Sequence, residues 1–191
     1  MHEELARWEA RYCQSGRVLH QPDDFLQEHW RWLRGPRLLD VAMGEGRNAI
    51  YLARCGFEVT GVDFSPAGVN AALRWARAEN LHIAALVCDL SELQIPGAPY
   101  DSIVVTRYWQ PSLCKVICRA LKPGGTLLYE TYLRSMQRYP GRAQSADPRH
   151  FPQPGELRRA FAELIVEHYS EVDKPASGEV CARLLARQRE Q

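Results

Sequence analysis

Acidic residues and glycines stand in this sequence where a short apolar segment ends. Asp40 follows the apolar pair Leu38 and Leu39 and precedes Gly44 and Gly46. A carboxylate at such a turn would repel the pyrophosphate of a dinucleotide and would attract a ligand that carries a positive charge. The glycines would let the backbone approach this ligand closely, with a positive φ at one of them. The pattern therefore indicates a site for a small cationic ligand.

The same turn also fits a competing pattern. Residues 44–49 read Gly-Glu-Gly-Arg-Asn-Ala, which matches the dinucleotide-binding fingerprint with Ala in its last place. An NAD(P)-dependent oxidoreductase is therefore an alternative function. The carboxylate of Asp40 argues against it, and so does the end of the chain described below.

The elements that would position these residues alternate between strand and helix. The sequence predicts helices at 3–13, 23–34, 46–55, 65–79 and 112–121, with strands at 38–41, 57–62, 82–88, 101–106 and 126–130. This alternation indicates a parallel sheet with helices on both faces. Polar residues end the predicted strands: Asp40, Asp63, Asp89, Thr106 with Arg107, and Glu130 with Thr131. Ligands bind beyond the carboxyl ends of such strands, so we expect these residues to surround one site.

The end of the chain breaks this alternation. A helix near 155–162 is followed by apolar segments at 164–170 and 179–186, which predict an antiparallel hairpin. A dinucleotide-binding domain would continue with parallel strands instead.

Composition and charge exclude several classes of partner. The chain has 191 residues, enough for one domain, and its formal net charge of +1 gives no reason to expect nucleic acid as a partner. No apolar run approaches the roughly 20 residues that span a bilayer, and the polar N-terminus does not resemble a signal peptide. Six cysteines are scattered without a C-x-x-C pair, so we expect reduced thiols and no metal site. We therefore expect a cytoplasmic protein that acts on a small molecule, of unknown oligomeric state.

Five segments resemble, in order and spacing, the motifs of the class I S-adenosylmethionine-dependent methyltransferases. They are Leu39–Gly46, Gly61–Ser65, Cys88–Leu90, Pro99–Val105 and Leu121–Leu128. Within this class, Gly44–Ala49 and Tyr129–Tyr132 are most similar to the small tellurite-resistance-type methyltransferases. Ala42 and Met43 stand where the family usually has Gly and Cys. The resemblance implies an α/β fold with a Rossmann-like, doubly wound, mostly parallel seven-stranded sheet, a C-terminal antiparallel hairpin and helices on both faces.

The resemblance, together with charge and position, implies S-adenosylmethionine as the cofactor. The implied cofactor-binding residues are Asp40, Ala42, Gly44, Gly46, Arg47, Asp63, Phe64, Asp89, Leu90 and Thr106. Asp40 would act on the methionine ammonium, and Asp63 would accept hydrogen bonds from both ribose hydroxyls, since a carboxylate offers only acceptors. Asp89 would accept from the adenine amino group, with Leu90 lining the pocket and Phe64 packing on the ring. Two roles stay open: Asp63 could instead cap the next helix, and Arg47 could be solvated or paired with a neighbouring acid.

The chain is expected to form a single methyltransferase domain over residues 1–191. Its expected parts are N-terminal cap helices at 1–35, a cofactor-binding core at 36–130, a lid at 131–153, and a C-terminal helix and hairpin at 154–191. The lid is rich in arginine, at Arg134, Arg138, Arg142 and Arg149. These cations favour an anionic substrate.

The expected activity is in-line methyl transfer to a small acceptor that is anionic or carries a thiol or a metalloid. The catalytic residues are not identified, and the candidates are Arg107, Trp109 and His150. Of these, His150 is the nearest candidate for a general base, although none is convincing. A non-catalytic protein that binds S-adenosylmethionine is a further alternative.

Overall fold

Helices and strands follow one another along the chain much as the sequence predicts. The structure, a computed structural model, describes residues 2–14, 21–90, 95–135, 148–174 and 177–190. The helices are α1 (His2–Gln14), α2 (Asp24–His29), α3 (Arg47–Arg54), α4 (Pro66–Ala78), α5 (Pro111–Ala120) and α6 (Glu156–Ala160). The strands are β1 (Arg37–Val41), β2 (Glu58–Asp63), β3 (Ala84–Val87), β4 (Tyr100–Thr106), β5 (Leu121–Tyr132), β6 (Ile165–Lys174) and β7 (Glu179–Arg187). Short 3₁₀ turns lie at Trp30–Trp32 and Pro148–His150.

All seven strands lie in one sheet, in the order β3-β2-β1-β4-β5-β7-β6. The first five strands are parallel, and β7 runs antiparallel to both β5 and β6. This arrangement confirms the predicted fold class, including the C-terminal hairpin. The strand order reverses between β1 and β4, which is where ligands bind in such sheets.

Two predicted boundaries are wrong at places where residues distant in sequence make contact. The helix predicted over 23–34 ends at His29 and tightens into a 3₁₀ turn, in which the indole of Trp32 donates to Glu167 at 3.0 Å. The fifth strand begins at Leu121 rather than at 126, because Leu121 pairs with Tyr100 ahead of a register shift. Gly124 and Gly125, which precede the predicted strand at 126–130, thus lie inside β5, in its irregularly paired part.

Alternate residues of the central strands face two separate cores. On β1, Leu39 and Val41 join the cluster under α5 and α6, whereas Leu38 joins the cluster under α3 and α4. Both clusters are shut from solvent, so the sheet is held rigidly between two helical layers. The residues that end its strands are therefore fixed relative to one another. No helix among the described residues is both long and apolar enough to cross a membrane.

Candidate functional site

The turn after β1 is built from residues in the left-handed region of φ. Ala42 has φ 56°, Gly44 has φ 56° and Gly46 has φ 85°. The sequence led us to expect a positive φ at one glycine, and the turn uses it at both glycines and at Ala42. A β-carbon at Gly46 would lie 2.6 Å from the β-carbon of Ala72 on α4, so this glycine also permits close helix packing.

Met43 points away from this turn into the core. Its side chain is 5% exposed and lies against Gly61 of β2, where a β-carbon would come within 2.0 Å of the Met43 sulfur. Its backbone N–H donates to Val62 at 3.1 Å. A long side chain fits at position 43 because β2 has a glycine opposite it.

Asp40 ends β1 as a buried carboxyl group. It is 1% exposed, and among the described residues its Oδ2 atom has no hydrogen-bond partner. Burial raises the pKa of Asp40 to about 8, against the lowering effect of Arg47 and with smaller raising effects from Asp23 and Asp63. At neutral pH this group is therefore protonated in the ligand-free fold, and a cation placed beside it would favour the charged form.

Asp63 ends β2 and braces the turn. Its Oδ2 accepts a hydrogen bond from the Gly44 N–H at 2.8 Å, and its Oδ1 accepts from the Ser65 N–H at 2.9 Å. The cap of α4 is Ser65, whose hydroxyl accepts from Gly68 at 3.1 Å. Burial raises the pKa of Asp63, and the backbone donors work against that rise. The predicted bond of Asp63 to ribose hydroxyls stays a prediction.

Helix α1 lies over the same turn. The Glu9 carboxylate accepts a hydrogen bond from the Ser65 hydroxyl, and it accepts from the Ala67 N–H at 3.1 Å. The hydroxyl of Tyr12 lies 2.8 Å from the position that a β-carbon at Gly44 would take. The ring of Tyr12 stacks on Trp8, with 5.5 Å between centroids. Glu9 and Tyr12 thus place α1 against this turn, and the role of the N-terminal helices as a cap over a cofactor stays a prediction.

The residues expected around an adenine ring follow β2 and β3. Phe64 is half-buried, Asp89 is exposed and Leu90 is buried. Their predicted contacts with the ring stay predictions. The residues that continue this loop, 91–94, lie outside the described residues.

The ends of α3 and β4 meet at a buried carboxylate that sequence reasoning did not single out. Asp23 is 3% exposed and accepts hydrogen bonds from Arg47 and, at 3.4 Å, from Asn48. Its other oxygen lies 3.0 Å from the Arg107 guanidinium. The Asn48 amide also donates to the Thr106 hydroxyl at 2.7 Å. One aspartate thus connects the N-terminal segment to both edges of the cleft between β1 and β4.

This network bears on the role of Arg47, which the sequence left open. Asp23 occupies the N-cap position of α2, but its side chain makes no capping bond, because it is turned inward to the arginines. Arg47 is neither solvated nor paired with Glu45: it pairs with Asp23, and its side chain is 16% exposed. No local sequence signal marks Asp23, since the pairing joins residues more than twenty positions apart.

The other acceptor candidates are dispersed. Trp109 is 4% exposed and lies edge-on to Tyr129, with 6.3 Å between ring centroids, so it sits in the core under α5. His150 is half-buried in the 3₁₀ turn at Pro148–His150. Arg138 and Arg142 of the expected lid lie outside the described residues. Contact of any of these with an acceptor stays a prediction.

Glu130, near the end of β5, forms a buried ion pair within the sheet. It pairs with Arg183 directly across the β5–β7 ladder at 2.6 Å, and both side chains are largely buried. Burial raises the pKa of Glu130, and Arg183 opposes that rise. The guanidinium of Arg183 also lies 5.0 Å from the centre of the Phe25 ring. This pair joins the hairpin to the sheet rather than leaving an acid for a ligand.

The sheet order, the reversed seventh strand, the glycine turn after β1 and the acid after β2 define the fold of the class I S-adenosylmethionine-dependent methyltransferases. Residues 38–125 match the family model of a methyltransferase domain. A ubiquinone biosynthesis O-methyltransferase from Alkalilimnicola ehrlichii is 30% identical over 122 residues, which are 61% of this chain and 49% of that protein. The protein thus has the fold of this class, and residues 38–125 match a methyltransferase domain. Both findings favour this class over the oxidoreductase alternative.

Two solved structures share the fold over almost the whole chain. N-methyltransferase NodS from Bradyrhizobium japonicum, in complex with S-adenosyl-L-homocysteine, has a TM-score of 0.73 at 18% identity and covers 97% of this chain and 98% of its own. TehB from Haemophilus influenzae has a TM-score of 0.69 at 20% identity and covers 97% of this chain and 67% of its own. The chain spans only 49%, 62% and 60% of the lengths of the first three curated relatives that it matches.

Proposed function

We propose that this chain is an enzyme that transfers the methyl group of S-adenosylmethionine to a small acceptor whose nucleophile is ionised at neutral pH, such as a thiolate or an oxyanion. The observation that carries the proposal is Asp40. Its carboxyl is buried at the end of β1, and its Oδ2 atom lacks a hydrogen-bond partner among the described residues. A buried polar atom without a partner is costly, and a ligand's ammonium group would remove that cost.

The residues present fit this cofactor. The left-handed turn at Gly44 and Gly46 carries no side chain at either glycine, and the hydroxyl of Tyr12 packs against Gly44 where a β-carbon would otherwise lie. Asp63 is held at the neighbouring strand end by two backbone N–H groups and retains the lone pairs that a pair of hydroxyls could meet. The two acids therefore stand where a positively charged end and a polar sugar would each find an acceptor.

The residues of the chain mainly orient the reactants and exclude water. When bound, S-adenosylmethionine supplies a methyl group that is already activated by its sulfonium. Correct orientation alone can lower such a barrier by roughly 7–11 kcal/mol. On the acceptor side, Thr106 accepts from Asn48 and Arg107 lies against Asp23, so neither side chain is a proton acceptor for the reaction. An acceptor that is already ionised needs no such base.

Two measurements test the proposal together. Calorimetry with S-adenosylmethionine, S-adenosylhomocysteine and NAD should give binding for the first two ligands only. Formation of S-adenosylhomocysteine should then be followed over a panel of thiols, metalloid oxyanions and phenols. Phenols belong in the panel because several curated relatives are named O-methyltransferases. Binding of the cofactor without turnover of any acceptor would instead favour a non-catalytic binding protein.

A further inference from the structure

Two arginines share one carboxylate at the acceptor side of the cleft. The Oδ2 atom of Asp23 pairs with the guanidinium of Arg47. Its Oδ1 atom lies 3.0 Å from Nη2 of Arg107. Burial lowers the pKa of Arg107, but Asp23, Tyr132, Glu179 and Glu130 raise it, and the pKa lies above its usual value. Glu130 is itself paired with Arg183. Arg107 is therefore a permanent cation whose one described ion pair is with Asp23.

Arg107 is the more exposed of the two arginines that pair with Asp23. The Arg47 side chain is 16% exposed, whereas that of Arg107 is 36% exposed. Arg107 directly follows β4, with φ 56° and its backbone N–H bonded to Glu130 at 2.8 Å. A left-handed conformation is costly for a residue with a side chain, and it persists where the surroundings fix it. Here it directs the side chain back over the strand ends, with the guanidinium 5.8 Å from the centre of the Tyr132 ring.

We propose that Arg107 binds an oxyanion group of the methyl acceptor, such as a carboxylate, and that Asp23 is the positioning residue that holds Arg107 for it. The inference rests on the proposed methyl transfer, and it adds the class of acceptor. A guanidinium presents a planar fork of donors that matches the two oxygens of a carboxylate. One edge of the fork faces Asp23, and among the residues that the structure describes no further hydrogen bond takes up its remaining donors.

Asp23 can hold Arg107 because Asp23 is itself immobile. Its backbone N–H donates to Asn48 at 3.1 Å, and its carboxylate accepts from the same amide at 3.4 Å. The neighbouring Asp24 offers a matched control. Its side chain is 73% exposed and lies 3.6 Å from Lys174, away from the arginine pair. The same Asp-to-Asn change at adjacent positions thus removes the anchor in one variant and a surface charge in the other.

The test titrates the full-length protein, loaded with S-adenosylhomocysteine, with benzoate and with its neutral analogue benzamide. NMR signals of the arginine Nε–H groups report the contact, and the Arg107 signal is assigned from Arg107→Lys. We expect benzoate to move this signal with saturation and to bind at least tenfold more tightly than benzamide. Arg107→Gln should abolish the preference for benzoate. Asp23→Asn should weaken benzoate binding about tenfold and shift the Arg107 signal before any ligand is added. Asp23→Glu, which keeps the charge, should restore part of the affinity. Asp24→Asn should change neither the affinity for benzoate nor the Arg107 signal.

Three results would overturn the inference: equal binding of benzoate and benzamide, benzoate binding that survives Arg107→Gln, or equal effects of Asp23→Asn and Asp24→Asn. Thermal unfolding of each variant shows whether Asp23→Asn stays folded. If Asp23→Asn does not fold, the effect of Arg107→Gln on the preference for benzoate over benzamide tests the inference, because Arg107 is partly exposed. Failure of the wild type to bind S-adenosylhomocysteine would count against the proposed function. Binding of S-adenosylhomocysteine without any preference for the anion would count against this inference alone.

Discussion

Replacing Asp40 by Asn should stabilise the ligand-free protein at alkaline pH and impair cofactor binding. The pKa of Asp40 is 3.8 in a model peptide and about 8 in the fold, because burial disfavours the charged form. A group whose pKa is raised on folding stabilises the fold fully below its unfolded pKa, and this contribution is lost as the pH rises through the folded pKa. Wild-type stability should therefore fall between pH 4 and pH 8.

The size of the loss follows from the shift. Each pKa unit corresponds to about 1.4 kcal/mol, so a rise from 3.8 to about 8 removes about 5 kcal/mol of unfolding free energy by pH 8. Asn cannot ionise, and its amide leaves one buried polar group without a partner, which costs about 1–3 kcal/mol. At pH 8 the variant Asp40→Asn should thus exceed the wild type by about 3 kcal/mol. At pH 5 the variant should be equal or slightly less stable.

Urea unfolding followed by tryptophan fluorescence at pH 5, 6, 7 and 8 measures these differences. Asp101→Asn is the matched control on the neighbouring strand. Burial alone would raise the pKa of Asp101, but the hydrogen bond from Lys122 and the backbone bond from Arg37 hold it below its usual value. This control should lose about the same stability at all four pH values, because the pKa of Asp101 lies below the whole range and its charge does not change there. Parallel stability curves for the wild type and Asp40→Asn from pH 5 to pH 8 would refute the reasoning.

The same carboxyl predicts a pH dependence of cofactor binding. Below pH 8 a cationic ligand must displace the proton of Asp40, so wild-type affinity for S-adenosylmethionine should rise up to tenfold per pH unit and level off near pH 8. Calorimetry on wild type and Asp40→Asn checks this. The variant should bind at least tenfold more weakly at pH 8 and lose the dependence.

Three further changes test the turn and the hairpin by urea unfolding. Ala42→Gly should stabilise the fold by about 1 kcal/mol, because Ala42 has φ 56° and only glycine adopts that region without cost. Gly61→Ala should cost about 1–3 kcal/mol, and the cost should shrink in a Met43→Cys background, since a β-carbon at Gly61 would lie 2.0 Å from the Met43 sulfur. Arg183→Met should destabilise by about 3–5 kcal/mol by leaving Glu130 buried and unpaired, and the added change Glu130→Leu should recover much of that loss.

The sequence predicted the architecture because the deciding signals are local. The apolar run before Asp40, the capping Ser65 and the stop at Gly56 each follow from the residues next to them. Boundaries failed where distant residues decide them. Leu121 is a strand residue because Tyr100 pairs with it across the sheet, which no property of the residues around Leu121 announces.

The sequence predicts where the candidate site lies, but it does not predict which charged side chains pair with one another there. Asp40 and Asp63 were identified because each ends a strand of a parallel sheet, and such ends share one edge. Asp23 ends no strand, and its sequence neighbours do not mark it as a site residue. Its actual partners, Arg47 and Arg107, come from two other segments, and only the folded chain brings them together.

The fold accommodates the two departures from the family pattern at the turn in different ways. Ala42 adopts a left-handed φ, which glycine adopts without strain. The alanine therefore lowers the stability of the fold without changing the path of the backbone at the turn. Met43 packs inward on Gly61 and keeps its backbone bond to Val62. We propose that what distinguishes this chain lies across the cleft. There Asp23 sets the direction of Arg107, and we expect the choice of acceptor to be made by that contact.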